Sequence, residues 1–398
     1  MTDATASLSP SAGQARSPID NRWGDVRPTR LDVEHVPVFA GVPGRGFNHQ
    51  AQLAWDGSRL YATWSCAARD EEEAGQHVLV ATSDDEGSTW GAPATLAPSR
   101  PGRHAPSVVV SSGIVARDGR LVAYTGEWER FEAGRDKERE AARAAAGGHS
   151  CFDVRTEARV SGDRGQTWSA PTVVVRNQFG FMPPAPTHTG RLILPGHLTS
   201  AYTDDPRGLA GWQRTGIPGL PADYLDDWYG HAKGAALLGI AHRFNEANFF
   251  ETADGVLHMM LRNENGTRMG VTESRDDGRT WSVPVLTGYT NSVSRSHFGC
   301  LPDGRWFCVN CPTPPATGLA PSTRTPRTPL VLALSEDGVV FDRHFVIGDD
   351  AQGVPRIPGY LKHGRYGYPF LVVIGDRATV IYSTNKEDIN VARFRLPA

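Results

Sequence analysis

The chain has 398 residues with 43 glycines and 29 prolines, a formal net charge of -3 and a pI near 6.5. That balance argues against nucleic acid or an anionic membrane as the main partner, so any anion binding must be local. No stretch approaches the roughly eighteen apolar residues of a membrane span, no signal-type apolar core occurs, and five cysteines fit a reducing compartment, so a cytoplasmic protein is expected.

Residues 1–21 are rich in Ser, Ala and Thr without an apolar core, which predicts a disordered tail ahead of one domain over 22–398. Arg30 to Ala40 (RLDVEHVPVFA) reads as a lone strand. Six hairpins follow, each an apolar, β-branched run behind a turn: Asp56-Gly57, Asp118-Gly119, Thr189-Gly190, Asp254-Gly255, Asp303-Gly304 and Gly375-Asp376. Such dipeptides between alternating apolar runs are strong hairpin signals. Their spacing of roughly 45 to 70 residues suits four-stranded blades with variable loops.

An S-x-D-x-G-x-T-W box recurs at Ser83 to Trp90, Ser161 to Trp168 and Ser274 to Trp281, with a shortened copy from Ser335 to Phe341. Ser and Asp can accept backbone N–H bonds, Gly can turn left-handed, and Trp can anchor the loop. The box is therefore a structural staple. Glu132 to Ala146 is a charged helical insertion, and it reads equally as a lid, an oligomer contact or a solvated helix. Together these elements predict an all-β, six-bladed β-propeller. Room for a seventh blade exists between Ala210 and Phe250. The lone strand would pair with the last blade and close the ring.

A propeller binds its ligand at the central mouth, and three arginines are expected near it: Arg130, Arg262 and Arg295. An arginine cluster suits a carboxylate, which guanidinium binds bidentately. The acidic run Arg69 to Glu73 follows the first blade's second strand, so Asp70 or Glu71 can face inward as well as outward. His188, His197, His231 and His242 lie in the irregular middle and are further candidates to line the mouth, without metal-ligand spacing. Cys308 and Cys311 form C-x-x-C without a second pair and are read as structural thiols. No cofactor or catalytic metal is expected; a structural divalent ion in the channel is left open.

The boxes on hairpins resemble those of the sialidase superfamily, whose members are propellers that bind a sugar at the mouth; there they are called Asp-boxes. The resemblance covers the chain from about Asp32 onward. It implies that Arg262 and Arg295 clamp a sugar carboxylate, that Glu246 in HRFNEANFF assists a tyrosine nucleophile, and that Tyr368 or Tyr366 in GRYGYPF is that tyrosine. The first blade departs from the pattern. Where an Arg-Ile-Pro motif would supply a third arginine, the chain reads Phe47-Asn48-His49-Gln50, and its one Arg-Ile-Pro stands at Arg356 to Pro358.

The F-N-H start, with Arg130 and Arg295, resembles rhamnosyl-glucuronate lyases built on the same scaffold. That resemblance implies β-elimination with His49 as base or acid and Asn48 and Gln50 beside it. The expected partner is a glycan end carrying a carboxylate. A glycan-cleaving enzyme is expected, with elimination at a rhamnosyl-glucuronate end as the first reading. The other readings are a sialidase-like exo-glycosidase and a propeller that binds sugar or protein without chemistry. The expected catalytic set is His49, Arg130, Arg295, Glu246 and Tyr368. Asn48, Arg262, Gln50, Asp70, His188 and Tyr366 are expected to bind substrate.

Overall fold

The computed structural model describes residues 17–398 except 104, 131–150, 227–229, 314–325, 351–352, 360–361 and 363–364. Its strands form six small sheets arranged as a six-bladed propeller. Blade I comprises Phe47–Trp55, Leu60–Ala67, His77–Ser83 and Ala94–Ala97, innermost strand first, and blade II Ser107–Arg117, Arg120–Arg130, Cys151–Ser161 and Thr172–Arg176. Blade III comprises Ala185–Pro186, Leu192–Pro195, Thr199–Thr203 and Gln213–Gly216, and blade IV Phe244–Glu251, Leu257–Asn263, Arg268–Ser274 and Val285–Thr290. Blade V comprises His297–Cys300, Trp306–Asn310, Leu330–Ser335 and Arg343–Gly348, with Thr29–Arg30 added in parallel as a fifth strand. Blade VI comprises Tyr366–Ile374, Arg377–Thr384 and Asp388–Arg395.

All six Gly-containing turns join the first and second strands of a blade, as expected. The lone strand, here Glu34–Phe39, pairs antiparallel with Asp388–Arg395 and completes blade VI. No seventh blade forms among the described residues. The stretch after Ala210 supplies blade III's outer strand and a short helix, Gly230–Leu238, before blade IV begins. The packed part of the chain begins before residue 22, since Ser17 to Asn21 lie on blades IV and V. There Ile19 is buried and Asn21 bonds Thr290. The Glu132 to Ala146 insertion lies outside the described residues.

The core sits between neighbouring blades. Leu332 and Val309 of blade V pack with Val380, Tyr382 and Phe394 of blade VI, and Trp64 and Leu79 of blade I pack with Ile381 and Val391 on its other side. With both faces of each sheet covered, the strands read as continuous rather than alternating apolar runs.

The boxes lie between third and fourth strands, and three copies share one hydrogen-bond pattern. In blade I, Asp85 accepts from Ser83 Oγ (2.8 Å), Thr89 N (2.8 Å) and Thr89 Oγ1 (2.7 Å), while Gly87 N donates to Ser83 Oγ (2.8 Å). Gly87 has a φ of 91°, a left-handed value that glycine adopts without strain. The fourth copy keeps the Ser335 and Asp337 bonds in a shorter loop.

The innermost strands of blades I, II, IV and VI each carry a bulge in which two residues oppose one. In three of them the first extra residue is Gln50, Glu246 or Tyr368, with φ values of 56°, 45° and 54°. A left-handed conformation in side chains this large is strained and persists only where surrounding packing imposes it. A bulge re-aims the side chain it carries. Here three bulges serve one end of the channel.

Candidate active site

The site is built at the N-terminal ends of the innermost strands and at the turns joining second to third strands. Tyr368 stands at its centre. Its hydroxyl donates to the Glu246 carboxylate, and Arg262 Nη1 donates to the same phenolic oxygen at 2.8 Å. Arg262 also ion-pairs with Glu246 and, at 2.6 Å, with Glu264. Burial, with Glu246 adding to it, pushes the Tyr368 hydroxyl well above the usual phenol range, so this tyrosine holds its proton at neutral pH.

Two further arginines cover the Tyr368 ring, Arg295 with its Cζ 4.6 Å from the ring centre and Arg327 at 5.7 Å. Neither has a carboxylate partner in its hydrogen bonds. Arg295 Nη1 donates to the Phe181 carbonyl, and Arg327 Nη2 donates to the Val293 carbonyl at 2.7 Å. Arg295 Nε and Nη2 and Arg327 Nη1 are buried donors without an acceptor among the described residues. Within the bonded cluster, Arg262, Arg295, Arg327 and Lys386 face Glu246, Glu264 and Glu71. Among the described residues one positive charge is left over, and it lies on the two arginines above Tyr368. A buried charge of this kind calls for an anion.

His49 packs under Tyr368 with ring centres 4.0 Å apart. Its Nδ1 lies 2.6 Å from Ser383 Oγ, and that hydroxyl donates its only proton to the Gly367 carbonyl at 3.3 Å. With Ser383 donating to Gly367, the ring proton sits on Nδ1 and a lone pair is left on Nε2, which has no partner among the described residues. Burial, followed by Lys386 and the three arginines, holds the imidazole well below its usual pKa, so it is neutral at pH 7. Beside it, Gln50 Nε2 donates to Glu71 Oε1 at 3.1 Å, and Lys386 Nζ meets Glu71 Oε2 at 2.6 Å. From blade III, His197 Nδ1 accepts the Glu246 backbone N–H at 3.2 Å, which fixes its other nitrogen as the protonated one.

His49, Gln50, Glu246, Arg262, Arg295 and Tyr368 thus lie together, and the other residues singled out in the sequence have different partners. Arg130 ion-pairs with Glu72, one residue beyond Glu71. Asn48 is held structurally: its amide donates to Arg45 O and Glu387 O, and its oxygen accepts from Trp64. Of the acidic run, Glu71 enters the cluster, whereas the Asp70 carboxylate lies against the backbone at Gly359. Tyr366 is packed in the core between blades V and VI, with its hydroxyl accepting from Asp350 N.

His188 is at the wrong end. It pairs with Glu251, five residues along the strand from Glu246, which is roughly 16 Å in extended chain, and its side chain is 64% exposed. A cavity of about 950 Å³ opens at that far end among His188, Phe298 and Phe370, away from the titratable cluster. His242 contacts Asn263 and Phe244. His231 is the second residue of the short helix, and its side chain lies outside the described residues. Cys308 and Cys311 are buried free thiols.

Sequence reasoning missed Arg327, Lys386 and Glu264. Arg327 follows a Pro-rich stretch before blade V's third strand, and Lys386 sits in a two-strand turn of the last blade. Neither context carries a motif.

Among solved structures the chain is similar to a sialidase, with a TM-score of 0.61 and 17% identity over 97% of this chain and 35% of that one, so it spans about a third of that protein. It is similar to the intramolecular trans-sialidase from Ruminococcus gnavus in complex with oseltamivir carboxylate, with a TM-score of 0.58 and 14% identity over 91% of this chain and 97% of that one. The Trypanosoma rangeli sialidase in complex with 2,3-difluorosialic acid, a covalent intermediate, gives 0.58 and 16% over 92% and 59%. Identities this low carry the fold. No curated protein sequence matches the chain. The family model for the BNR repeat-like domain matches residues 57–381, most of the propeller, and with the staples and six sheets described above it places this chain in the BNR repeat-like family.

Proposed function

We propose that the chain is a glycan-cleaving enzyme that acts at a sugar end bearing a carboxylate, by β-elimination at a rhamnosyl-glucuronate linkage. The observation that carries this reading is the pair of arginines above Tyr368, Arg295 and Arg327, whose buried donors lack acceptors among the described residues. A uronate carboxylate bound there would be neutralised, which acidifies its C5 proton. His49, neutral with a free lone pair, takes that proton. The C4–C5 double bond forms as the C4–O bond breaks, and Tyr368 gives its proton to the departing oxygen.

The two products are an unsaturated uronate and a free sugar. In glucuronate the C5 proton and the C4 oxygen lie on the same side, and base and acid here are neighbours at 4.0 Å. The same contact offers the proton a short way back from His49 to Tyr368. Environment separates the two roles: burial lowers the imidazole and raises the phenol.

A sialidase-like glycosidase is the second reading, favoured by the bonds among Tyr368, Glu246 and Arg262. It requires a carboxylic acid to protonate the leaving group. The inward carboxyl, Glu71, fits this poorly, since Lys386, Arg327 and Arg262 outweigh burial and hold it below its usual range.

Incubation with a rhamnosyl-glucuronate oligosaccharide and with a sialoside separates these readings. Elimination gives the ultraviolet absorbance of an unsaturated uronate. Sugar release without that absorbance identifies a hydrolase, and silence on both substrates overturns the enzyme reading.

A further inference from the structure

The Gln50 side chain is buried, at 6% exposure, in a strained left-handed backbone, yet its Oε1 has no partner among the described residues. Its orientation is set by what lies behind it. An ionised carboxylate only accepts hydrogen bonds. As long as Glu71 is ionised, Gln50 must turn its NH₂ toward Glu71 and its oxygen away from it. Lys386, from the turn between Arg377–Thr384 and Asp388–Arg395, supplies the charge that keeps Glu71 in that state.

We infer that Lys386, Glu71 and Gln50 form an orientation lock that makes the Gln50 carbonyl a reader of a ligand hydroxyl, and so a determinant of which sugar the site accepts. The hydroxyl-reading half rests on the proposed sugar site; the lock itself does not. A protonated Glu71 would donate as well as accept. Gln50 could then flip and present NH₂ instead, which would pair with an ether or carbonyl oxygen as readily as with a hydroxyl. Glu71 is faced by Lys386 from blade VI, Gln50 from blade I, and at longer range by Arg327, Arg262 and the Tyr368 hydroxyl. Burial draws Lys386 down from its ordinary value while Glu71 opposes that. Contact at 2.6 Å with a carboxylate that is itself lowered identifies the pair as ionised.

Two measurements on the full chain test the two halves separately. For the lock, glutamine side-chain amides are labelled with ¹⁵N, and the Gln50 signal is assigned by its loss in Gln50→Met. In the wild type that signal is expected to hold its position from neutral to mildly acidic pH. In Lys386→Met, burial is no longer opposed by the ammonium, Glu71 takes up a proton in that range, and the signal moves. A signal that titrates in the wild type, or stays fixed in a folded Lys386→Met, overturns the lock. Should Lys386→Met fail to fold, Glu71→Gln removes the ionised acceptor directly, and a Gln50 signal unchanged by it overturns the lock equally.

For hydroxyl reading, calorimetry compares glucuronic acid with its monodeoxy analogues. The wild type is expected to bind one analogue about tenfold more weakly than the parent, and Gln50→Met to bind the two alike. A preference that survives Gln50→Met overturns the assignment. Absence of glucuronic acid binding overturns the sugar site and this half with it, while the amide signal still decides the lock.

Discussion

At the residue scale the site separates arginines that are neutralised from arginines that are not. Arg262 has two carboxylates, whereas Arg295 and Arg327 have backbone carbonyls only. Arg295→Met should therefore weaken glucuronate binding by about 1.5 to 3 kcal/mol, the range for a hydrogen bond to a charged group, as read by calorimetry with melting temperature as the control. The elimination rate should also keep its value as pH falls through 6.5, where an ordinary histidine protonates, because burial and four cations hold His49 neutral well below that point. A rate that falls with an apparent pKa near 6.5 would remove His49 as the base.

Glu246, Arg262 and Tyr368 were legible because each sits in a local sequence context that survives in the fold. Arg327 and Lys386 were not, since their place depends on loops meeting across the ring. Asn48 and Tyr366 stand two residues before Gln50 and Tyr368 and would share their face in a regular strand, but bulges re-aim the later pair and leave no glycine to mark the change.

At the element scale the repeated box is a staple placed at the end of the blades away from the site. Asp85→Ala removes the acceptor of three hydrogen bonds within one loop, and about 1 to 3 kcal/mol should be lost in chemical denaturation with turnover unchanged. A loss of turnover at full stability would contradict that placement. Its geometry was readable in advance, since Ser, Asp and Gly meet their partners within a few residues.

Contacts between blades were not readable, and His297 illustrates why. It lies on blade V's innermost strand, accepts Leu371 N from blade VI at 2.9 Å and stacks on Phe370 at 4.0 Å. Burial, with Arg295 adding to it, lowers its pKa from 6.5 to about 3. A folded pKa below the unfolded one means that the unfolded chain binds the proton first, so stability is lost as pH falls from 6.5 toward 3. The slope from this residue approaches about 1.4 kcal/mol per pH unit. Urea midpoints measured across that range should fall less steeply in His297→Phe than in the wild type.

At the scale of the whole molecule, six blades and their order followed from turns that recur at regular spacing, and closure followed from one strand left without a partner. What repetition left unsaid was the anchoring of the chain before that strand. Ser17 to Asn21 lie against blades IV and V, and Thr29–Arg30 extend blade V in parallel, so the first described residues span three blades before the ring closes.

The ring makes these two attachments unequal. A chain beginning at Asp32 loses Ile19 from its pocket and the fifth strand of blade V, but it keeps Glu34–Phe39 on Asp388–Arg395 with the Glu34 to Arg393 ion pair and the His35 to Tyr382 bond. It should fold with a lowered melting temperature and keep its activity. A chain beginning at Gly41 bares the edge of blade VI and removes the strand that joins the two ends of the chain. Blade VI carries Tyr368, Ser383 and Lys386, so loosening it dissolves the site along with the closure. That chain should self-associate in size-exclusion chromatography and lose activity altogether. If it instead remained monomeric and active, ring closure would not be what holds the two halves of the site together.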